Sequence, residues 1–195
     1  MNQKLRLLLA LLAIAALTQG CSNVEPHSVR LAPSVKVQPS ELGQNKLVGL
    51  EVVDSRADKK LGIVGDPQGK FIYLTLANDP PPTIYKQVAD GLEKLGFTVQ
   101  PATGSEERTL KVDVTELSYE SIKKPMNFDT VAKVTLAATA RTEAQTYERA
   151  YNVKQERAAG APPSAEDDAK AINSLVSMAL EDMLTDKQLL ALLAK

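Results

Sequence analysis

Tryptophan is absent from the sequence, cysteine and histidine occur once each, and aromatic residues make up only 4% of the chain. A single cysteine excludes an internal disulfide framework and a cysteine-rich zinc site, and a single histidine excludes a two- or three-His metal centre. Neither sign of charge dominates. Lys plus Arg number 23 against 24 Asp plus Glu, a formal −1, which gives no electrostatic reason to expect nucleic acid as a partner. What remains is ordinary: 195 residues, 44% hydrophobic and 24% charged, suit one domain around a single core and are too few for an elaborate multidomain enzyme.

Only one apolar run is long. Leu7–Leu17 follows Lys4 and Arg6 as the hydrophobic region of a secretory signal follows its basic region. As a helix it reaches about 16 Å, roughly half of a ~30 Å hydrocarbon core, so it does not span a membrane. The lone cysteine comes directly after it, in the order Leu17, Thr18, Gln19, Gly20, Cys21. This resembles the lipobox of bacterial lipoproteins, with Thr18 and Gln19 standing where Leu and Ala are usual. The resemblance implies removal of residues 1–20 as a signal peptide, acyl chains such as palmitate on Cys21, and, because Ser22 rather than Asp follows, sorting to the outer membrane. The competing reading is an ordinary secretory signal that leaves Cys21 as a free thiol. An unpaired thiol is a liability in an oxidising compartment, and lipidation explains both its presence and its solitude. Removing residues 1–20 takes away Lys4 and Arg6 and no acid, so the mature charge is −3 and attachment rests on lipid rather than on a polybasic patch.

Residues 21–45 are polar and punctuated by Pro26, Pro33 and Pro39, the pattern of an extended tether. His27 lies here and reads as incidental. Val29, Leu31, Val35 and Val37 alternate with other residues, so the outer part of the tether is a candidate edge strand. The domain proper is expected over 46–195. Leu47–Val53 reads as a buried strand, and Leu61–Val64 with Lys70–Leu76 as a hairpin around the turn Asp66, Pro67, Gln68, Gly69. Pro80–Pro82 open a helix whose stripe is Ile84, Val88, Leu92 and Leu95, closed by a left-handed Gly96. Strands follow at Phe97–Gln100, Leu110–Tyr119, Thr130–Arg141 and Gln145–Gln155. The change of parity between Val114 and Leu117 predicts a bulge near Thr115 and Glu116. Ser164 and Asp167 resemble a capping box ahead of a second helix. Thr185 and Gln188 suggest the same device before a short third one. The expected fold is α+β: a mainly antiparallel sheet with two amphipathic helices packed on one face and a short C-terminal helix.

Reactive chemistry is scarce. From Leu47 onward there is no His and no Cys, which disfavours nucleophile–His triads and HExxH-type zinc sites. A carboxylate-pair hydrolase is not excluded by composition, but 24 acids make any chosen pair uninformative. Gly62, Gly65 and Gly69 lack the ending of a phosphate-binding loop and read as turn glycines. Asp54, Arg56 and Asp58, at the end of a strand, form the candidate interaction surface, against the plainer reading of an Asx-turn with a local ion pair. Lys123–Met126 reads as a surface turn. The C-terminal leucines read either as core or as a partner-facing stripe.

The lipobox, the Pro-punctuated tether, the strand ending Asp54, Ser55, Arg56, the helix ending LEKLGF, and NVKQ followed by AINSLVSMALEDML together resemble the YajG family of bacterial lipoproteins, from the signal peptide to about Leu184. That family is uncharacterised and carries no established catalytic residues; only Cys21 matches a functional position. The resemblance implies a lipid-anchored protein of the Gram-negative outer membrane, its domain facing the periplasm, and the scarcity of reactive side chains leads to the expectation of no cofactor and no enzymatic role. The function expected is that of a binding or accessory module in envelope maintenance or assembly, with an envelope protein or peptidoglycan as partner. The alternative is an auxiliary subunit of an envelope transport or secretion complex.

Overall fold

A computed structural model describes residues 27–65, 68 and 70–195. The signal peptide and Cys21 lie outside the described residues, as does most of the Asp66–Gly69 turn. Among the described residues no helix is long and apolar enough to cross a membrane.

Among the described residues, eight strands and three helices succeed one another as β1 (His27–Val29), β2 (Leu47–Asp54), β3 (Gly62–Gly65), β4 (Phe71–Leu76), α1 (Pro80–Lys94), β5 (Thr98–Pro101), β6 (Arg108–Lys123), β7 (Phe128–Thr142), β8 (Thr146–Ala159), α2 (Ala165–Leu184) and α3 (Lys187–Leu193). The α+β class and the helix positions agree with the sequence reading. The sheet does not: it is mixed, and four of its seven pairings, β1 with β4, β2 with β5, β2 with β6 and β3 with β6, are parallel. The antiparallel pairings are those joined by hairpins, β3–β4, β6–β7 and β7–β8. Alternation along a strand specifies which face is buried, not which neighbour lies beside it, and the neighbours of β2 and β3 are distant in sequence.

The sheet forks on β6. One edge of β6 carries β7 along its whole length, while the other is shared by β2, beside Thr109–Val114, and by β3, beside Tyr119–Ser121. Thr115 is the bulged residue between the two halves, as the parity change predicts. Gly62 begins β3 so close to β6 that a Cβ there would sit 1.7 Å from the Tyr119 carbonyl oxygen, which is why this position is glycine.

The helices cover one face. Leu110, Val112, Val114, Leu117 and Tyr119 of β6, and Ala132, Val134, Leu136, Ala138 and Ala140 of β7, are buried against the stripes of α1 and α2. Ser164 and Asp167 form a reciprocal capping box on α2. At the end of α1, Gly96 is left-handed (φ +85°), its N–H bonding Glu93 O and that of Phe97 bonding Leu92 O, a Schellman closure. All four leucines of α3 are buried, so that stripe is core. Its cap is Asp186 rather than Thr185: Asp186 Oδ1 accepts from the N–H groups of Gln188 (2.9 Å) and Leu189 (3.4 Å), whereas Thr185 Oγ1 donates back to Glu181 O (2.7 Å). The carboxylate is the stronger acceptor and stands one residue nearer the helix.

Residues 27–37 lie along the domain. β1 pairs with the edge of β4, and beyond it Leu31 and Pro33 stay buried while the chain leaves the sheet. Its backbone donors are taken by side chains instead: Leu31 N–H by Asn78 Oδ1 (2.8 Å) in the turn before α1, and, from the helices, Ala32 N–H by Asn173 Oδ1 (2.6 Å), Ser34 N–H by Ser177 Oγ (2.9 Å), Lys36 N–H by Glu181 Oε1 (2.9 Å) and Val35 N–H by Gln87 Oε1 (3.3 Å). Asn173, Ser177 and Glu181 are spaced four apart, so one ridge of α2 satisfies the strap. The turn that follows closes α1, with Ser40, Gly43 and Asn45 donating to the carbonyls of Lys94, Leu95 and Gly96.

Candidate functional site

The loop from Ser55 to Leu61 fills the fork between β2 and β3. It is tied at both ends to β6, by Ser55 N–H to Val114 O (3.0 Å) and Tyr119 N–H to Leu61 O (2.9 Å). Within it, Asp54 and Arg56 engage each other. The guanidinium donates from Nε to Asp54 Oδ1 and from Nη2 to Oδ2, both at 2.9 Å, in a bidentate pair whose side chains are 4% and 13% exposed for Arg56 and Asp54. Asp54 Oδ1 also accepts from the Arg56 N–H (3.2 Å), an Asx-turn, and Lys59 Nζ reaches Asp54 O (2.6 Å). The Arg56 guanidinium, aided by Lys59, holds the Asp54 carboxyl down at about 2. The remaining Nη1 of Arg56 is buried without an acceptor among the described residues, so this arginine offers no donor to solvent. Asp58 is exposed and its Oδ1 accepts from Lys60 N–H (2.9 Å). The loop thus brings all three candidate residues together, two as an internal strut and one at the surface.

Beside the strut, on the sheet face away from the helices, lies a groove of about 580 Å³. Arg56, Asp58 and Lys60 border it on the loop side, Tyr73 of β4 and Glu116, Ser118 and Lys133 of β6 and β7 on the sheet side. The four residues Thr115–Ser118 have no strand partner on this edge, so the fork itself makes the depression. Lys60 Nζ lies 5.4 Å from the centroid of the Tyr73 ring, and Lys133 Nζ lies 3.7 Å from Glu116 Oε1. The lining presents an aromatic face with donors and acceptors of both signs, at a size typical of ligand clefts. Sequence reasoning missed Tyr73. Its signal was parity, because Phe71, Tyr73 and Thr75 fall on the solvent side of β4 while Leu74 is fully buried.

Two other polar clusters are internal. Asp186 Oδ2 accepts from Tyr151 Oη (2.7 Å), Tyr147 Oη (2.9 Å) and Arg149 Nη1 (3.0 Å). Burial pushes this carboxyl up, but the two tyrosines and the capped amides outweigh it and bring it to about 2. Asp168, buried in the first turn of α2, accepts a hydrogen bond from Tyr119 Oη, and burial raises both groups above their ordinary values. Its Oδ2 and the Nδ1 of His27 are buried without hydrogen-bond partners among the described residues, and the charge of His27 acts to lower Asp168. His27 is therefore half-buried at the sheet edge, not an exposed tether residue.

Solved structures share the fold. Protein XCC0632 from Xanthomonas campestris is 15% identical, the match covering 80% of this chain and 92% of that one at a TM-score of 0.51. An uncharacterised protein is 11% identical, covering 82% and 97% at 0.52. A minor lipoprotein from Acinetobacter baumannii is more distant, 9% identical over 77% and 94% at 0.38. At these identities the first two likenesses show a common fold and nothing of activity. No curated protein matches the sequence. The model of a family described as uncharacterised lipoprotein matches residues 33–194, and the chain belongs to that family.

Proposed function

We propose that this lipoprotein is of the YajG type, held by acyl chains on Cys21 in the outer membrane of a Gram-negative bacterium with its domain facing the periplasm, and that it acts by binding, as an accessory in envelope maintenance or assembly. The groove in the fork of the sheet carries the binding role. Its walls are rigid, since the roof is pinned by the Asp54–Arg56 pair and the floor is β6 and β7. Tyr73 supplies apolar area with little side-chain entropy to lose, and Lys60, Asp58, Ser118 and Glu116 supply adaptable polar contacts, a combination suited to a protein partner. The carboxylates held down at about 2, Asp54, Glu106 and Asp186, serve an internal ion pair, the loop at Thr103 and a helix cap rather than the groove.

A photo-crosslinking residue in place of Tyr73, in intact cells, tests the groove. A discrete adduct is expected, weakened by Lys133→Glu and absent when the crosslinker replaces Glu148 on β8; equal adducts from both positions, or none from position 73, sink the groove as the binding site. Cys21→Ala tests the anchor. The variant should leave the membrane fraction, and its persistence there at the mature size rules lipid attachment out.

A further inference from the structure

The described fold starts at His27, six residues after Cys21. β1 runs parallel to β4 with His27 opposite Leu74, so β1 begins on the side facing the end of the sheet where β4 begins at Phe71. The strand registers assemble that end from several segments: Phe71 lies opposite Gly65, Val64 opposite Ser121, and Lys123 opposite Phe128. The turn between β6 and β7 projects from it, closed by Lys124 N–H to Asn127 O (2.7 Å). Two large apolar side chains are displayed here, Phe71 at 54% exposure and Met126 at 93%. Lys70, Lys123 and Lys124 flank them, and the nearby Asp129 accepts a hydrogen bond from Asn127 Nδ2 (2.7 Å) within the turn.

Chain length sets how far this end can stand from the lipid. Six residues fully extended span at most about 20 Å. Three residues of β4 separate the level of His27 from that of Phe71, about 10 Å, so Cys21 reaches no more than about 10 Å past the end of the sheet. The headgroup layer is itself about 5–8 Å thick on each side of the hydrocarbon core. A thioether at the base of that layer therefore draws the Phe71 and Met126 end into contact with it.

We infer that this end of the sheet rests in the lipid headgroup layer of the membrane that holds Cys21, with Met126 and Phe71 directed toward the acyl boundary and the lysines at the level of the phosphates. The inference depends on the acylation of Cys21 proposed above. Lysine stems cover apolar surface while their ammonium groups stay with phosphate and water, which suits this arrangement. The fold is then oriented by a short leash and two apolar side chains, and the groove beneath the β2–β3 loop opens alongside the membrane.

The full-length lipidated protein, reconstituted in vesicles of phosphatidylethanolamine and phosphatidylglycerol, provides the test. Met126→Cys and, at the far end of β7 about 50 Å away along the strand, Glu143→Cys each offer one reactive thiol, since the Cys21 sulfur is blocked by its lipid thioether. Both positions are exposed turns, so folding is not at stake. An environment-sensitive fluorophore at position 126 should be quenched several-fold more strongly than one at 143 by headgroup-borne nitroxide lipids, with a blue-shifted emission. Equal quenching at the two positions in protein shown by mass spectrometry to be acylated overturns the docking alone. A blue shift at 126 without lipid quenching means that protein covers this end and overturns it too. Absence of acyl groups on Cys21 overturns the anchor and the docking together.

Discussion

Asp54 and Arg56 show how a charged motif is consumed by its own loop. Arg56→Ala leaves the Asp54 carboxylate mostly buried beside Lys59 alone, and the loss is expected to be about 3 kcal/mol, the scale for breaking a buried pair. The pH dependence has a definite sign. Asp54 titrates at about 2 in the folded protein against about 3.9 unfolded, so its contribution is fully present above the unfolded value and lost as pH falls through 2. Urea midpoints measured from pH 7 down to 2 should converge for wild type and Arg56→Ala at the acid end; a constant gap would refute the assignment. Gly62→Ala should cost about 2 kcal/mol or more, because its methyl would overlap the Tyr119 carbonyl oxygen and part β3 from β6. Faster exchange of the Tyr119 amide, which bonds Leu61 O, would locate the damage. Asp168 has the opposite sign to Asp54. Its raised folded value means the charged form opposes folding at neutral pH, so Asp168→Asn, which keeps an acceptor for Tyr119 Oη, should unfold at higher temperature than wild type at pH 7 and lose that advantage in acid. A lower melting temperature at pH 7 would contradict it.

At the scale of elements, α2 has two tasks. Its apolar stripe closes the core, and its ridge of Asn173, Ser177 and Glu181 holds the strap. Asn173 both accepts from Ala32 N–H and donates to Arg30 O (3.1 Å). Asn173→Ala should therefore release the strap at a cost of about 1–2 kcal/mol, raising amide exchange at residues 30–36 while the centre of α2 stays protected. Exchange rising equally along α2 would show that Asn173 supports the helix instead. The helix stripes, the Schellman glycine, the capping box and the bulge at Thr115 were all legible, because each is a local rule about spacing or backbone conformation. The parallel pairings were not. Nothing near Leu47–Asp54 or Gly62–Gly65 encodes that both will share one edge of a strand more than fifty residues later. The groove was hidden for the same reason, since it exists only where those two strands part. Arg56 and Asp58 marked its rim, but Tyr73, Glu116 and Lys133 meet there through the fork.

For the whole molecule, the strap decides where the domain begins. Proline content and polarity at 21–45 suggest a tether, and the period-2 pattern from Val29 to Val37 suggests an edge strand; the structure keeps the alternation but after Val29 replaces the strand partner with the side chain of Asn78 and then with helix side chains. Alternate residues face the core in any extended segment, whatever supplies its hydrogen bonds. Val29 and Leu31 are 3% and 2% exposed, and both join the main core. Burying two such side chains contributes about 3–6 kcal/mol, against a total stability of about 5–15 kcal/mol for a domain of this kind. A protein starting at residue 46 also loses the turn that closes α1 and uncovers the edge of β4. Residues 27–195 should unfold in one sharp, reversible transition. Residues 46–195 should show a broad transition or none, with near-ultraviolet circular dichroism lost, and addition of a peptide of residues 27–45 should restore part of the signal. If the shorter protein melts as sharply and at the same temperature, the strap is a passenger and the six residues before His27 are not the whole leash; the distance argument for the membrane-facing end of the sheet would then have to be abandoned with it.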